Sequence, residues 1–206
     1  MRLASFLPAI LLVAAAIPLV ATAKGTPPLT PSLDFAETTP GIPSPPALVD
    51  QARYMTNSET ATFPGTVAAF RAFMDANPIT DFVVATDAIP AIENIVYLSG
   101  TWPEVGAVRR VDLAGGHSAH ERVIANTPDR FAYQIWNITA PSGRVIDHIM
   151  GEFQYGQSGG DTTVIWNYNI KPNLFLARPA IRRFLLNDFA PFMQAGLTGV
   201  VAAYQR

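Results

Sequence analysis

Between Val105 and Lys171 the chain alternates apolar and polar positions in five runs, Val105–Leu113, Ser118–Ala125, Arg130–Thr139, Arg144–Gly156 and Thr162–Lys171. Gly115-Gly116, Thr127-Pro128-Asp129, Ala140-Pro141-Ser142-Gly143 and Ser158-Gly159-Gly160-Asp161 separate the runs, and Pro172 closes the last. Period-two runs joined by short Gly/Pro turns predict an antiparallel meander. After Pro179 the period changes to 3.6. Phe189, Phe192, Met193, Leu197, Val200, Val201 and Tyr204 then line one face of a long terminal helix. Asn187 or Asp188 is its expected N-cap, with Pro191 in its first turn. A meander with one polar face has one apolar face to cover, and this stripe is its natural lid. The expected fold class is α+β, a curved antiparallel sheet wrapped around a long C-terminal helix.

Upstream, Val67, Phe70, Phe73 and Met74 place one apolar face on a helix over Thr66–Ala76, ended by Asn77-Pro78. Asp81–Thr86 reads as a strand. Ile89–Leu98 reads as a short helix with Pro90 in its first turn. Residues 24–50 hold seven prolines, which predicts an extended arm, taken to reach residue 62 before a domain over 63–206. The first 23 residues have their own grammar. Arg2 precedes the apolar run Leu7–Val20, and Ala21-Thr22-Ala23 is a small-x-small cleavage pattern. That order predicts a signal peptide and an exported, periplasmic or secreted protein. The alternative is an uncleaved membrane anchor, which Pro8 and Pro18 weaken.

Composition narrows the function classes. Hydrophobic residues are 49% and charged residues 15% of the chain, enough apolar material for a sizeable core. The net charge of −2 and the lack of a basic stripe argue against nucleic acid as a partner. With no cysteine, disulfides, thiolate metal sites and a cysteine nucleophile are excluded. His117, His120 and Glu121 lack the helical spacing of a zinc motif, so no metal and no cofactor is expected. Asp147 and His148 are strand neighbours expected to point to opposite faces. Asn137-Ile138-Thr139 matches a glycosylation sequon, discounted because it falls in a predicted strand.

Strand phase selects the residues that face the helix. Val164, Trp166, Tyr168 and Ile170 share one phase of the last strand, and Ile149, Gly151, Phe153 and Tyr155 one phase of the strand before. Arg109 shares the more apolar phase of its strand with Val105, Ala107, Val111 and Leu113; if that phase faces inward, Arg109 points into the cavity, where a guanidinium needs a partner. Glu121 on the next strand or a ligand carboxylate would serve. A two-residue loop at Gly115-Gly116 would instead pair Arg110 with Glu121.

The order of elements, with TWPEVGAVRRV (Thr101–Val111), HERV (His120–Val123), GEF (Gly151–Phe153), TTVIWNYNI (Thr162–Ile170) and FMQAGLTGVV (Phe192–Val201), resembles the SRPBCC superfamily. These are START-like and polyketide-cyclase/dehydrase-like helix-grip proteins. The likeness covers residues 80–206. It implies a cavity between sheet and terminal helix for a lipid, a sterol-like or a polyketide-like molecule. Its expected wall is Trp102, Arg109, Tyr133, Ile149, Phe153, Trp166, Tyr168, Met193 and Leu197, with Gly151, Gly196 and Gly199 leaving the space. The leading expectation is a monomeric binding or carrier protein for an apolar small molecule, touching a membrane only through an uncleaved leader. The alternatives are a cyclase, aromatase or dehydrase using Arg109, Glu121, Tyr133 or His148, and an envelope interaction protein with a filled core.

Overall fold

The computed structural model describes residues 41–206, and the expected leader and the first part of the arm lie outside them. Seven strands form one antiparallel sheet: β1 (Met55–Pro64), β2 (Ile92–Ser99), β3 (Val108–Leu113), β4 (His117–Thr127), β5 (Arg130–Trp136), β6 (Ile146–Ser158) and β7 (Asp161–Pro172). Their order across the sheet is β1-β7-β6-β5-β4-β3-β2. The five expected strands are therefore the consecutive middle of the sheet, and two further strands form its edges.

Both edge strands correct the sequence reading. β1 begins inside the stretch read as arm, runs past the arm's expected end at residue 62, and pairs with β7 from Met55↔Ile170 to Pro64↔Asp161. Its threonines favour extended backbone, but its inward positions include Asn57 and Glu59, so the apolar alternation is missing. β2 replaces the expected helix at Ile89–Leu98. Ile92, Ile95 and Val96 are β-branched and stiff at χ1, and the edge of β3 offers them a ladder. Asp81–Thr86 is no strand. With both edges occupied it continues a 3-10 turn over Ile79–Asp81 into irregular chain, and Phe82 and Val83 pack on the terminal helix.

α1 (Val67–Ala76) starts where expected, with the Thr66 hydroxyl accepting from Ala69 N–H at 3.2 Å. The terminal helix is longer than expected: α2 (Arg178–Phe184), a π-helical turn (Leu185–Phe189) and α3 (Ala190–Tyr204) run without a break. Neither Asn187 nor Asp188 caps it, because the backbone stays helical through Phe189. The wide turn lies just ahead of Pro191, whose ring would clash with a carbonyl one α-turn back. Val164, Trp166, Ile170, Phe153, Met193, Leu197 and Val200 are buried together between sheet and helix. Among the described residues no helix is long and apolar enough to cross a membrane.

The outer face of the sheet carries the described part of the arm. The Gln134 amide donates to Pro46 O at 2.8 Å and the Trp136 indole to Pro43 O at 2.9 Å. Both side chains are buried.

Candidate functional site

β3, β4 and β5 bring Arg109, Glu121 and Tyr133 to the concave face. The loop Ala114-Gly115-Gly116 sets the register, pairing Leu113 with His117 and hence Arg109 with Glu121. Arg109 Nε and Nη2 both donate to Glu121 Oε2 at 2.6 Å, and the side chains are only 8% and 11% exposed. The guanidinium also lies 3.8 Å over the Trp102 ring. Arg110 points outward and pairs with Asp112. The buried cation is thus matched within the protein and asks for no anionic ligand.

Two cavities flank this pair. The first, about 260 Å³, is walled by Trp102, Arg109, Tyr133, Phe153, Trp166 and Tyr168 among others. The second, about 470 Å³, is walled by Val111, Leu113, Ile135, Ile149, Phe184 and Phe189 among others. Glu121, Tyr168, Phe192, Thr80, Val83 and Ile92 line both, so the two are lobes on a common wall. Phe153 stacks on Trp166 at 5.1 Å between centroids, and Phe189 meets Tyr168 at 4.4 Å. Burial, with the nearby Glu121 carboxylate, pushes the Tyr133 hydroxyl well above its ordinary range. Tyr168 is raised in the same way, by burial and then by Tyr133 and Glu121. Both therefore keep their protons at neutral pH and are available as donors. Trp166 Nε1 is buried, with the Tyr133 hydroxyl as its near polar neighbour. Thr80 Oγ1 is buried and unpartnered.

Seven of the expected wall residues, Trp102, Arg109, Tyr133, Ile149, Phe153, Trp166 and Tyr168, line one lobe or the other. Met193 and Leu197 line neither. They are buried in solid packing nearer the end of the helix, 0% and 3% exposed. The glycines do not open the space as expected. A Cβ on Gly151 would fall 2.3 Å from Tyr133 Cζ, and one on Gly196 would fall 2.8 Å from Val83 Cγ1, so these positions admit neighbouring side chains. Sequence reasoning missed the contribution of residues 79–92. Their apolar run was legible, but its role as a cavity wall depends on the edges being occupied.

His148 lies on the opposite, outer face and lines neither cavity. Contrary to expectation, it bonds its neighbour: His148 Nδ1 is 2.9 Å from Asp147 Oδ2. A register shift between Ile146 and His148 breaks the strict alternation there. The neutral tautomer that fits donates Nδ1–H to Asp147 and accepts the Tyr54 hydroxyl at Nε2, 2.8 Å away. Burial holds His148 below its ordinary value despite Asp147. Among the described residues no three His, Asp or Glu side chains converge as a metal site. Asn137 follows β5 rather than lying in it, is exposed, and has φ of 49°, so a strand position is no reason to discount its sequon.

Fold and cavity together define the class: the chain has a helix-grip fold, a curved antiparallel sheet closed over by a long C-terminal helix. Among solved structures it is similar to Ara h 8.0201, at 14% identity over 74% of this chain and 98% of that one, with a TM-score of 0.52. It is similar to ginseng major latex-like protein 151 from Panax ginseng, at 12% identity over 73% and 99%, TM-score 0.50. It is also similar to the di-domain ARO/CYC StfQ from the steffimycin biosynthetic pathway, at 13% identity over 74% of this chain and 51% of StfQ, TM-score 0.54. No protein-family model and no curated protein matches the chain. At these identities the likeness is one of fold.

Proposed function

We propose that this protein is an exported carrier that binds a neutral, largely apolar small molecule across the two lobes. The observation that carries the reading is the aromatic and aliphatic wall around about 470 Å³ of space, a volume within the usual range for small-ligand sites of roughly 300–1,000 Å³. The matched Arg109–Glu121 pair supports a neutral ligand, since a lone carboxylate on the ligand would meet Glu121 as well as Arg109. Thr80 Oγ1, buried without a partner on the wall shared by both lobes, supports a polar atom on the ligand. A buried hydroxyl left unpaired costs about 1–3 kcal/mol, which a carbonyl or ether oxygen would recover. The leader pattern at Leu7–Val20 and Ala21-Thr22-Ala23 supports export.

A second reading is a cyclase or aromatase acting on such a ligand. It is favoured by Tyr133 and Tyr168, two hydroxyls held protonated inside an aromatic wall, where they would donate to a carbonyl oxygen as it gains charge. The open lobes speak against a filled-core interaction protein.

Native mass spectrometry of the exported protein tests the carrier reading. A bound apolar species, displaced by an apolar fluorescent probe, is the expected result. An empty protein that also fails to take up the probe overturns it. A co-purified molecule chemically altered on incubation favours the enzyme.

A further inference from the structure

Three consecutive large apolar residues stand in solvent: Leu174, Phe175 and Leu176 are 64%, 82% and 88% exposed. They follow β7 and lead into α2, in a short 3-10 turn over Phe175–Ala177. The turn is held in place. Asn173 N–H donates to Val145 O at 3.1 Å, Asn173 Nδ2 donates to Arg144 O at 2.5 Å, and Ala177 is buried beneath it. Leu186, 62% exposed, adds a fourth apolar side chain from the same helix.

Along the chain through this turn, up to Asp188, the charge is one-sided. From Lys171 to Asn187 the chain carries Lys171, Arg178, Arg182 and Arg183 and no Asp or Glu, although the whole chain is net −2. Arg182 and Arg183 are exposed, and among the described residues none of the three arginines has a carboxylate partner. Arg178 and Arg182 also line a groove of about 480 Å³ between α2 and the β1 edge, floored by Met55, Leu185 and Leu186. A narrow apolar projection flanked by unpaired cations matches a surface whose apolar layer lies just beneath anionic groups.

We propose that this end of the protein docks on an anionic lipid bilayer, with Leu174, Phe175 and Leu176 inserted at the interface and Arg178, Arg182 and Arg183 at the level of the phosphates. This goes beyond the cavity reading and does not depend on it, and it gives the folded domain a membrane contact of its own, separate from the leader. The turn adjoins the end of the second lobe walled by Ala140, Ser142 and Ile146, so docking would bring that lobe to the bilayer surface.

The test uses the absence of native cysteine. Phe175→Cys in the exported chain provides a unique thiol for an environment-sensitive dye at a position whose exposure tolerates the change. Emission should shift to the blue on phosphatidylcholine vesicles containing phosphatidylglycerol and stay unchanged on phosphatidylcholine alone. The partition constant of unlabelled protein, read by vesicle sedimentation, should fall about five-fold for each of Arg178→Ala, Arg182→Ala and Arg183→Ala. Three results overturn the proposal: a dye that stays in water while the protein sediments with anionic vesicles, an equal shift on neutral vesicles, and a concentration-dependent shift without vesicles. The last would mark the turn as an interface with a second copy of the chain.

Discussion

Arg109→Met isolates the polar centre of the cavity. Methionine keeps the apolar stem and removes the guanidinium from both of its contacts, two bonds of 2.6 Å to Glu121 and the stack 3.8 Å over Trp102. Glu121 is left among Tyr133, Tyr168 and the aliphatic wall with no counter-charge. Removing one partner of a buried pair costs about 3–5 kcal/mol. The 11% residual exposure of Glu121 favours the lower end, about 3 kcal/mol. For a domain of this size that is a fall in Tm of roughly 6–12 °C. Arg109→Met/Glu121→Gln removes both charges and should recover more than half of the loss, because a neutral amide is far cheaper to leave in that setting. Thermal melts of the parent, both single variants and the double variant, completed as a cycle, give the coupling directly. A single variant melting within about 2 °C of the parent, or a double variant no better than Arg109→Met, would refute the account of the pair as a mutually dependent buried unit.

Three further outcomes follow from the geometry. Gly151→Ala should destabilise by about 1–3 kcal/mol and weaken apolar-probe binding, since its Cβ would displace the Tyr133 ring into the first lobe; unchanged binding and melting would contradict this. Burial lowers His148 and His120 below 6.5, so the unfolded chain binds protons that the folded chain resists, and stability should fall as pH drops through about 6.5. His148→Gln should flatten that slope in pH-dependent melts, and an unchanged slope would show that His148 is not its source. Deleting residues 1–50 should cost about 2 kcal/mol more than deleting 1–40, as Gln134 and Trp136 lose their carbonyl partners at Pro46 and Pro43; equal melting temperatures would count against it.

Local pattern made much of this fold legible. Five strands, their turns, α1 and the apolar stripe of α3 were written in period and punctuation, because each depends on residues close in the chain. Strand phase also identified Arg109, Phe153, Trp166 and Tyr168 as inward-facing, since alternation is a property of the strand itself. The reading failed where a position's fate rests on distant partners. β1 looked like arm because its ladder lies on β7, from Asp161 to Ile170, far along the chain. Asp147 and His148 were assigned to opposite faces because alternation alone does not reveal a bulge.

What the sequence by itself determined was an antiparallel sheet with one apolar face and a terminal helix to cover it. The tertiary structure decided where that cover leaves room. Near Met193 and Leu197 helix and sheet close into solid packing, while over β3, β4 and β5 the wall comes from residues 79–92 and the π-helical turn, and space remains. It also decided the partner of Arg109, through a loop of three residues rather than two. Void volume and cross-strand register are set by how separate elements meet, and no single stretch of chain encodes either.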